Sequence, residues 1–172
     1  VVKRGTLIVF EGLDGCGKST QLRRAADHLS GLGVDFVVTR EPTDGPWGRR
    51  IREMARAGTG VTPETELEWF FEDRRDHMRE VVEPALAAGR LILSDRSYLS
   101  TVAYQGARGL DPEKILRDSE AEFARPDVVL LFEISVKEGL SRVHDRGRES
   151  EPVFEHLEFL ERVSEVFSAM TV

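Results

Sequence analysis

The sequence predicts an α/β fold, in which helices cover both faces of a parallel sheet. Short apolar runs alternate along the chain with longer amphipathic segments. Because these runs are continuous rather than interrupted by a polar residue at every second position, they are typical of strands buried on both faces. The 172 residues, of which 40% are hydrophobic, are enough for one domain with its own core. We therefore interpret residues 1–172 as a single domain.

The first half of the chain contains two predicted strands and their helices. Residues 6–10 form an apolar run, and residues 17–31 follow with apolar side chains at helical spacing. Residues 34–39 form the second predicted strand. Two prolines and two glycines predict a loop over 40–48, and a short basic helix follows over 49–57.

The second half begins with a long predicted helix over 63–88, with Thr62 as its N-cap and Pro63 in its first turn. Pro84 is expected to kink that helix or to end a segment of it, because proline removes a backbone donor. The remaining predicted elements are strands at 91–94 and 128–134, helices at 98–106, 112–124 and 137–145, a charged loop at 146–152 and a final helix at 154–168.

Composition argues against several classes of protein. The chain has 24 Lys and Arg residues against 31 Asp and Glu residues, and its net charge is −7, so we expect neither a nucleic-acid partner nor an anionic membrane partner. Cys16 is the single cysteine, which excludes an intramolecular disulfide and favours a cytoplasmic protein. No apolar run approaches the ~20 residues of a membrane span, and the first residues do not resemble a signal peptide.

A phosphate-binding loop follows the first predicted strand. The run from Gly12 to Thr20 matches the pattern G-x-x-x-x-G-K-[ST]. Its glycines let backbone N–H groups turn toward phosphate oxygens, and the following helix points its positive end at the same anion. Lys18 is expected to reach the transferred phosphate, and the Ser19 hydroxyl is expected to bind Mg²⁺. The predicted ligands of the ATP phosphates are Gly12, Asp14, Gly15, Cys16, Gly17, Lys18, Ser19 and Thr20.

This motif alone does not separate kinases from GTPases, motor ATPases or sulfotransferases. The chain contains no N-K-x-D motif of the kind that reads the base in GTPases, and it is short for a large ATPase. Cys16 is interpreted as a small residue at a variable position of the loop rather than as a nucleophile.

Charged side chains also follow the second and third predicted strands. Arg40 comes at the end of one, and Asp95 and Arg96 come at the end of the other. Because ligands bind at the carboxyl ends of parallel strands, the two arginines indicate a second anionic ligand beside the first. Asp95 is in the position of a carboxylate that organises Mg²⁺. The alternative is that each arginine is a surface residue or braces a loop.

Phe70 and Arg74 lie four residues apart on the long predicted helix and therefore share a face. A ring that stacks on a base, with an arginine that reaches a base carbonyl, would need this spacing. From the spacing alone, a core phenylalanine with a surface arginine is the favoured interpretation.

Taken together, these motifs resemble the thymidylate kinase family of P-loop nucleoside monophosphate kinases. The resemblance runs from about residue 5 to residue 168. The matching segments are 10–21, 39–42, 70–74 with His77, 95–96, 100–106, 125–127, 154–155 and 158–160. The resemblance implies a three-layer αβα P-loop NTPase fold with strand order 2-3-1-4-5. The family normally continues through a last strand and helix beyond the position of Val172, so the fifth strand is not expected in these residues.

The resemblance implies roles for individual side chains. It assigns Ser19 and Asp95 to Mg²⁺, and Lys18 and Arg96 to catalysis. It assigns acceptor contacts to eight side chains: Asp14 to the sugar 3′-hydroxyl, Arg40 and Arg96 to phosphate, Phe70 and Arg74 to thymine, Ser100 and Gln105 to base and acceptor, and Tyr104 to the space at the 2′ position that favours deoxyribose.

Some members of this family carry a basic residue in the phosphate loop, and others supply arginines from a lid. Gly15 follows Asp14 in the loop here, so we expect the catalytic charge to come from a lid near residues 142–153. Arginines in a closing segment would offset the negative charge that develops during transfer. The three expected to do so are Arg142, Arg146 and Arg148. The alternative is a solvated, charged helix end.

The resemblance implies Mg²⁺-dependent transfer of phosphate from ATP to dTMP, which gives dTDP for dTTP synthesis, in a homodimer. Two alternatives stay open at this point. One is a kinase of the same fold that acts on another nucleotide or a nucleoside. The other is a catalytically silent nucleotide-binding relative, which is admissible because Ser97 follows Arg96 where Tyr or His is usual and Pro152–Val153 replace the usual lid arginine.

Overall fold

A computed structural model describes residues 4–58, 61–145 and 156–170. Its sheet has four strands, all parallel, in the order β2-β3-β1-β4. The strands are β1 (Thr6–Glu11), β2 (Phe36–Arg40), β3 (Leu91–Asp95) and β4 (Val128–Leu131). The predicted α/β class with a parallel sheet is therefore confirmed, and the observed order equals the first four positions of the order 2-3-1-4-5.

Eight α-helices connect and cover these strands in the described residues. They are α1 (Lys18–Gly31), α2 (Pro46–Ala57), α3 (Pro63–His77), α4 (Glu83–Ala87), α5 (Tyr98–Ala107), α6 (Pro112–Glu122), α7 (Val136–Asp145) and α8 (Leu157–Ala169). None of these helices is both long enough and apolar enough to span a membrane. The predicted boundary between the loop over 40–48 and the helix over 49–57 was wrong, because α2 already begins at Pro46. Proline suits this first helical turn, where no backbone donor is needed.

The long predicted helix over 63–88 consists of three segments. Thr62 caps α3 by accepting a hydrogen bond from the Thr65 amide, as expected for an N-cap. A π-helical turn, Met78–Val82, then separates α3 from α4. Pro84 lies in the first turn of α4, a position that tolerates proline because a first-turn N–H has no acceptor within its own helix. The interruption predicted from Pro84 therefore occurs just before that residue, at the π-helical turn.

The two faces of the sheet bury different side chains, because successive residues of a strand point to opposite sides. Leu7 and Val9 of β1 belong to a core cluster under the helices α3 to α6. Phe10 of β1 and Leu93 of β3 instead pack with Leu22 of α1. Helices thus cover both faces, as in the three-layer arrangement.

The strand register brings three carboxyl ends to one level. Phe10 of β1 and Arg40 of β2 are both in register with Asp95 of β3. The segments that follow β1, β2 and β3 therefore start side by side, and this edge of the sheet holds the candidate site.

Candidate functional site

The loop between β1 and α1 is shaped by glycines with positive φ. Gly12 has φ 131°, Gly15 has φ 81° and Gly17 has φ 102°. A Cβ atom on Gly15 would lie 2.3 Å from the carbonyl oxygen of Gly139 in α7. Glycine is therefore required at position 15 by both the backbone angle and the close approach of another chain segment.

Lys18 is folded back over this loop. Its Nζ donates hydrogen bonds to the carbonyl oxygens of Gly12, at 2.9 Å, and Leu13, at 2.8 Å. Burial and the positive charge of Arg96 lower the pKa of Lys18. The negative charge of an anion in the loop would stabilise the ammonium form and raise the pKa of Lys18 again. The ammonium group is therefore suited to binding an anion.

Ser19 and Asp95 meet at the edge of the loop. The Ser19 hydroxyl donates a 2.6 Å hydrogen bond to Oδ2 of Asp95. A hydroxyl and a carboxylate are hard oxygen ligands, and Mg²⁺ characteristically takes one or two such protein ligands together with water and phosphate oxygens. The donor set therefore fits Mg²⁺.

Arg96 connects the phosphate loop with α5. Its φ is 78°, a left-handed conformation that costs about 1–3 kcal/mol outside glycine and that concentrates at functional sites. The guanidinium group pairs with Asp14 at 2.9 Å and donates to the Ser100 hydroxyl at 2.8 Å. It also lies over the Tyr104 ring, 5.2 Å from the ring centre. Four of the predicted site residues thus form one contiguous group.

Glu11 supports this group from below and was not singled out in the sequence. Its carboxylate is fully buried and accepts hydrogen bonds from the Ser97 amide at 2.7 Å, the Ser97 hydroxyl at 2.7 Å and the Ser100 hydroxyl at 2.6 Å. Burial raises the pKa of Glu11, although Arg96 and the serine hydroxyls oppose the effect. Ser97 therefore caps α5 and also binds Glu11, which gives a structural role to the residue that departs from the family pattern.

Arg40 is exposed at the end of β2. It donates a 2.6 Å hydrogen bond to Asp44, and Arg52 of α2 pairs with the same carboxylate oxygen at 3.1 Å. Exposed pairs of this kind contribute about 0–1 kcal/mol. Little stability is therefore lost when Arg40 exchanges Asp44 for another anion.

Arg74 is held by a buried network. Its Nε and Nη2 contact Oε2 of Glu41 at 2.8 and 2.7 Å, and Nη2 donates to the Thr101 hydroxyl at 2.8 Å. His77 Nδ1 lies 2.9 Å from Oε1 of Glu41, and its Nε2 lies 2.6 Å from the Thr39 hydroxyl. Because an ionised carboxylate can only accept, Nδ1–H donates to Glu41.

This network fixes the ionisation of Glu41. Burial alone would raise the pKa of Glu41, but the charge of Arg74 and the hydrogen bond from His77 lower it to about 2. Arg74 Nη1 is buried and has no hydrogen-bond partner among the described residues. Arg74 is thus buried, contrary to the surface position favoured by spacing alone, and its Nη1 group is available to donate a hydrogen bond.

A cavity of about 470 Å³ joins the phosphate loop to the end of β2. Most predicted site residues line it: Asp14, Gly15, Gly17, Lys18, Ser19, Thr20, Arg40, Phe70, Asp95, Arg96, Ser100, Tyr104 and Gln105. Glu41 and Thr101 also line it, although the sequence interpretation did not include them. Gly12, Cys16 and Arg74 are not among the lining residues, and Arg74 lies directly behind Glu41 and Thr101.

The predicted lid arginines are only partly described. Arg142 lies on α7 and donates to the carbonyl oxygen of Gly15 at 3.4 Å, and it also pairs with Glu138. α7 therefore contacts the phosphate loop through both Arg142 and Gly139. Arg146, Arg148 and the rest of the predicted lid to residue 153 lie outside the described residues.

The parallel sheet, the glycine loop and the Ser19–Asp95 pair at the strand ends define a P-loop nucleotide-binding protein. The family model of thymidylate kinase matches residues 10–171. The chain belongs to the thymidylate kinase family, which confirms the resemblance inferred from its motifs.

Curated relatives agree with this assignment. A thymidylate kinase of Desulfotalea psychrophila is 45% identical over 168 residues, which cover 97% of this chain and 82% of the relative. A thymidylate kinase of Akkermansia muciniphila is 45% identical over 146 residues, or 84% and 70% of the two chains. A thymidylate kinase of Xylella fastidiosa is 39% identical over 170 residues, or 99% and 77%.

Proposed function

We propose that this protein transfers the terminal phosphate of ATP to dTMP and releases dTDP and ADP. Membership of the thymidylate kinase family supports this reaction. The observation that carries it in the structure is the cavity that runs from Lys18, in the phosphate loop, to Arg40 and Phe70. One pocket thus offers cationic groups for two phosphates and an aromatic ring for a base.

On the donor side, the loop amides and Lys18 would hold the phosphates of ATP. Ser19 and Asp95 would hold Mg²⁺, which, when bound, neutralises charge on the donor phosphates. Lys18 would leave the carbonyl oxygens of Gly12 and Leu13 and bind phosphate instead. Burial and the charge of Arg96 lower the pKa of Lys18, and a bound phosphate would oppose both effects.

On the acceptor side, Arg40 would bind the phosphate of dTMP and Phe70 would stack on the base. Arg74 would use its remaining donor, Nη1, for the O4 carbonyl of thymine. Asp14, which accepts a hydrogen bond from Arg96, would accept another from the sugar 3′-hydroxyl. Tyr104 would occupy the space beside the 2′ carbon.

Catalysis in this site would consist of alignment and charge neutralisation. The acceptor phosphate is already an anionic nucleophile, so the reaction needs no protein base. Lys18 and Arg96 would contact the transferred group, and Arg142, Arg146 and Arg148 would add charge from the lid. Hydrogen bonds to Asp14 and Ser100 hold the guanidinium group of Arg96 in place before the substrates bind.

We also propose a cytoplasmic homodimer built from one domain per chain. The single cysteine and the acidic composition support the location, and the family resemblance supports the dimer. Light scattering coupled to size-exclusion chromatography tests the dimer, and a mass of one chain would contradict it.

A coupled assay of ADP release across dTMP, dUMP, dCMP, UMP and thymidine tests the reaction. We expect dTMP to have the highest kcat/KM. A higher value for another acceptor would reassign the substrate. Binding of ATP and dTMP by calorimetry without product in this assay would instead identify a catalytically silent relative.

A further inference from the structure

A fully buried carboxylate, Glu66, lies behind Gln105, which lines the cavity. It belongs to α3 and has no exposed surface. Oε1 of Glu66 accepts a 2.7 Å hydrogen bond from Nε2 of Gln105 on α5. Oε2 accepts no hydrogen bond from the described residues but forms an ion pair with Nη2 of Arg108 at 3.2 Å. Burying a carboxylate is costly unless it is paired, so Glu66 needs both partners. None of its contacts belongs to the phosphate-transfer machinery described above.

The charge of Glu66 determines which way the Gln105 amide points. A glutamine amide has a donor end, the NH₂ group, and an acceptor end, the carbonyl oxygen, and the two have nearly the same shape. An ionised carboxylate accepts hydrogen bonds but cannot donate them. Nε2 of Gln105 must therefore face Glu66, and Oε1 must take the opposite position. Burial raises the pKa of Glu66, and the hydrogen bond from Gln105 and the positive charge of Arg108 oppose that rise.

The other end of that amide is left without a partner. Oε1 of Gln105 is buried and accepts no hydrogen bond from the described residues, and Gln105 lines the cavity. Arg74 lies behind this wall, and its Nη1 donates no hydrogen bond to the described residues. Gln105 thus offers an acceptor in the cavity wall, and Arg74 offers a donor behind it. Thymine and uracil present the complement, an O4 acceptor beside an N3–H donor, whereas cytosine presents an amino donor beside an N3 acceptor.

We propose that Glu66 is a positioning residue for base selection: it fixes the Gln105 amide with its oxygen toward the bound base, so that the pocket accepts N3–H and disfavours the bare N3 of cytosine. This inference rests on the proposed function, because it assumes that the base of the acceptor binds beside Gln105. Glu66 acts only through Gln105 and touches neither the substrate nor the reacting atoms.

Glu66→Gln tests the proposal. The substituted amide is close to the carboxylate in size and can both donate and accept, so Gln105 becomes free to present either end to the base. We expect the ratio of kcat/KM for dTMP to kcat/KM for dCMP to fall by about tenfold, mainly through KM, because one buried hydrogen bond is no longer enforced. The proposed contact of Arg74 with the base would be the same in both proteins and would cancel in the comparison.

A double-mutant cycle with Gln105→Met separates positioning from a general structural effect. Gln105→Met removes both ends of the amide, so adding Glu66→Gln to it should leave the dTMP-to-dCMP ratio unchanged. Glu122→Gln serves as the matched control, because Glu122 also joins α3 to another helix, through Arg75, but does so on the exposed side of the molecule. The dTMP-to-dCMP ratio of the Glu122→Gln protein should equal that of the unmodified protein.

The unmodified protein provides a measurement that is independent of variant folding. The N3-methyl analogue of dTMP keeps the O4 carbonyl but has no N3–H to donate, so it should be phosphorylated with a kcat/KM at least about tenfold lower than that of dTMP. Equal values for the two acceptors would overturn the proposal. An unchanged dTMP-to-dCMP ratio in folded Glu66→Gln protein would also overturn it. If the unmodified protein makes no dTDP at all, the proposed function fails instead.

Discussion

Replacing Glu41 by glutamine tests the buried network beneath the acceptor side of the cavity. The pKa of Glu41 is lowered from 4.5 to about 2, and each unit corresponds to about 1.4 kcal/mol of folding free energy. The ionised carboxylate therefore contributes about 3 kcal/mol at neutral pH. Removing one partner of a buried pair typically costs about 3–5 kcal/mol, so the two values agree. We expect Glu41→Gln to lower the unfolding free energy by about 3 kcal/mol.

The difference between the two proteins should also depend on pH. Because the pKa of Glu41 is lower in the folded protein than in the unfolded chain, its contribution is complete above the unfolded value of 4.5 and is lost as the pH falls toward about 2. The stability difference should shrink by about 1 kcal/mol at pH 4 and by about 2 kcal/mol at pH 3. Glutamine does not titrate, so the variant is the reference.

Thermal and urea unfolding measure both effects. For a chain of this length, the loss at pH 7 corresponds to a fall in Tm of about 6–12 °C. Glu122→Gln is the control, since it removes one member of the exposed Arg75–Glu122 pair and should cost at most about 1 kcal/mol. Equal Tm values for Glu41→Gln and the unmodified protein, or a difference that stays constant down to pH 3, would refute the reasoning.

Three further predictions concern the cavity. Lys18→Ala should lower kcat by about 10²–10³-fold while Tm changes little, because one cationic contact to the transferred phosphate is lost; normal turnover would remove Lys18 from catalysis. Phe70→Ala should raise KM for dTMP about 5–100-fold with a smaller effect on kcat, because stacking on the base is lost, and an unaltered KM would place the base elsewhere. Asp95→Asn should raise the Mg²⁺ concentration needed for half-maximal rate, measured by Mg²⁺ titration of ADP release; an identical titration curve would contradict a role in holding the cation.

The part of the site nearest the strand ends could be predicted from the sequence. Asp95 and Arg96 follow an apolar run, and the parallel sheet requires such residues to meet the loop after β1. The structure indeed has the Ser19 hydroxyl 2.6 Å from Asp95 and Arg96 2.9 Å from Asp14. Local patterns were sufficient here because the chain geometry of a parallel sheet leaves little freedom at this edge.

The buried carboxylates behind the site could not be predicted in the same way. Glu11, Glu41 and Glu66 find their partners 86, 33 and 39 residues away. Such pairings depend on how α3 and α5 pack against each other and against the ends of β1 and β2, and the spacing within one element carries no information about that. One signal was present for Glu11, which ends an apolar strand where a charged side chain needs a buried partner.

The contact between Gly15 and Gly139 restricts which side chains the phosphate loop can carry. A Cβ atom at position 15 would overlap the carbonyl oxygen of Gly139, and one at position 139 would lie 2.8 Å from the carbonyl oxygen of Asp14. An arginine at position 15 would therefore require both a new loop backbone and an outward shift of α7. Adding a cationic side chain to this loop is thus a change in two segments at once, beyond the reach of a single substitution.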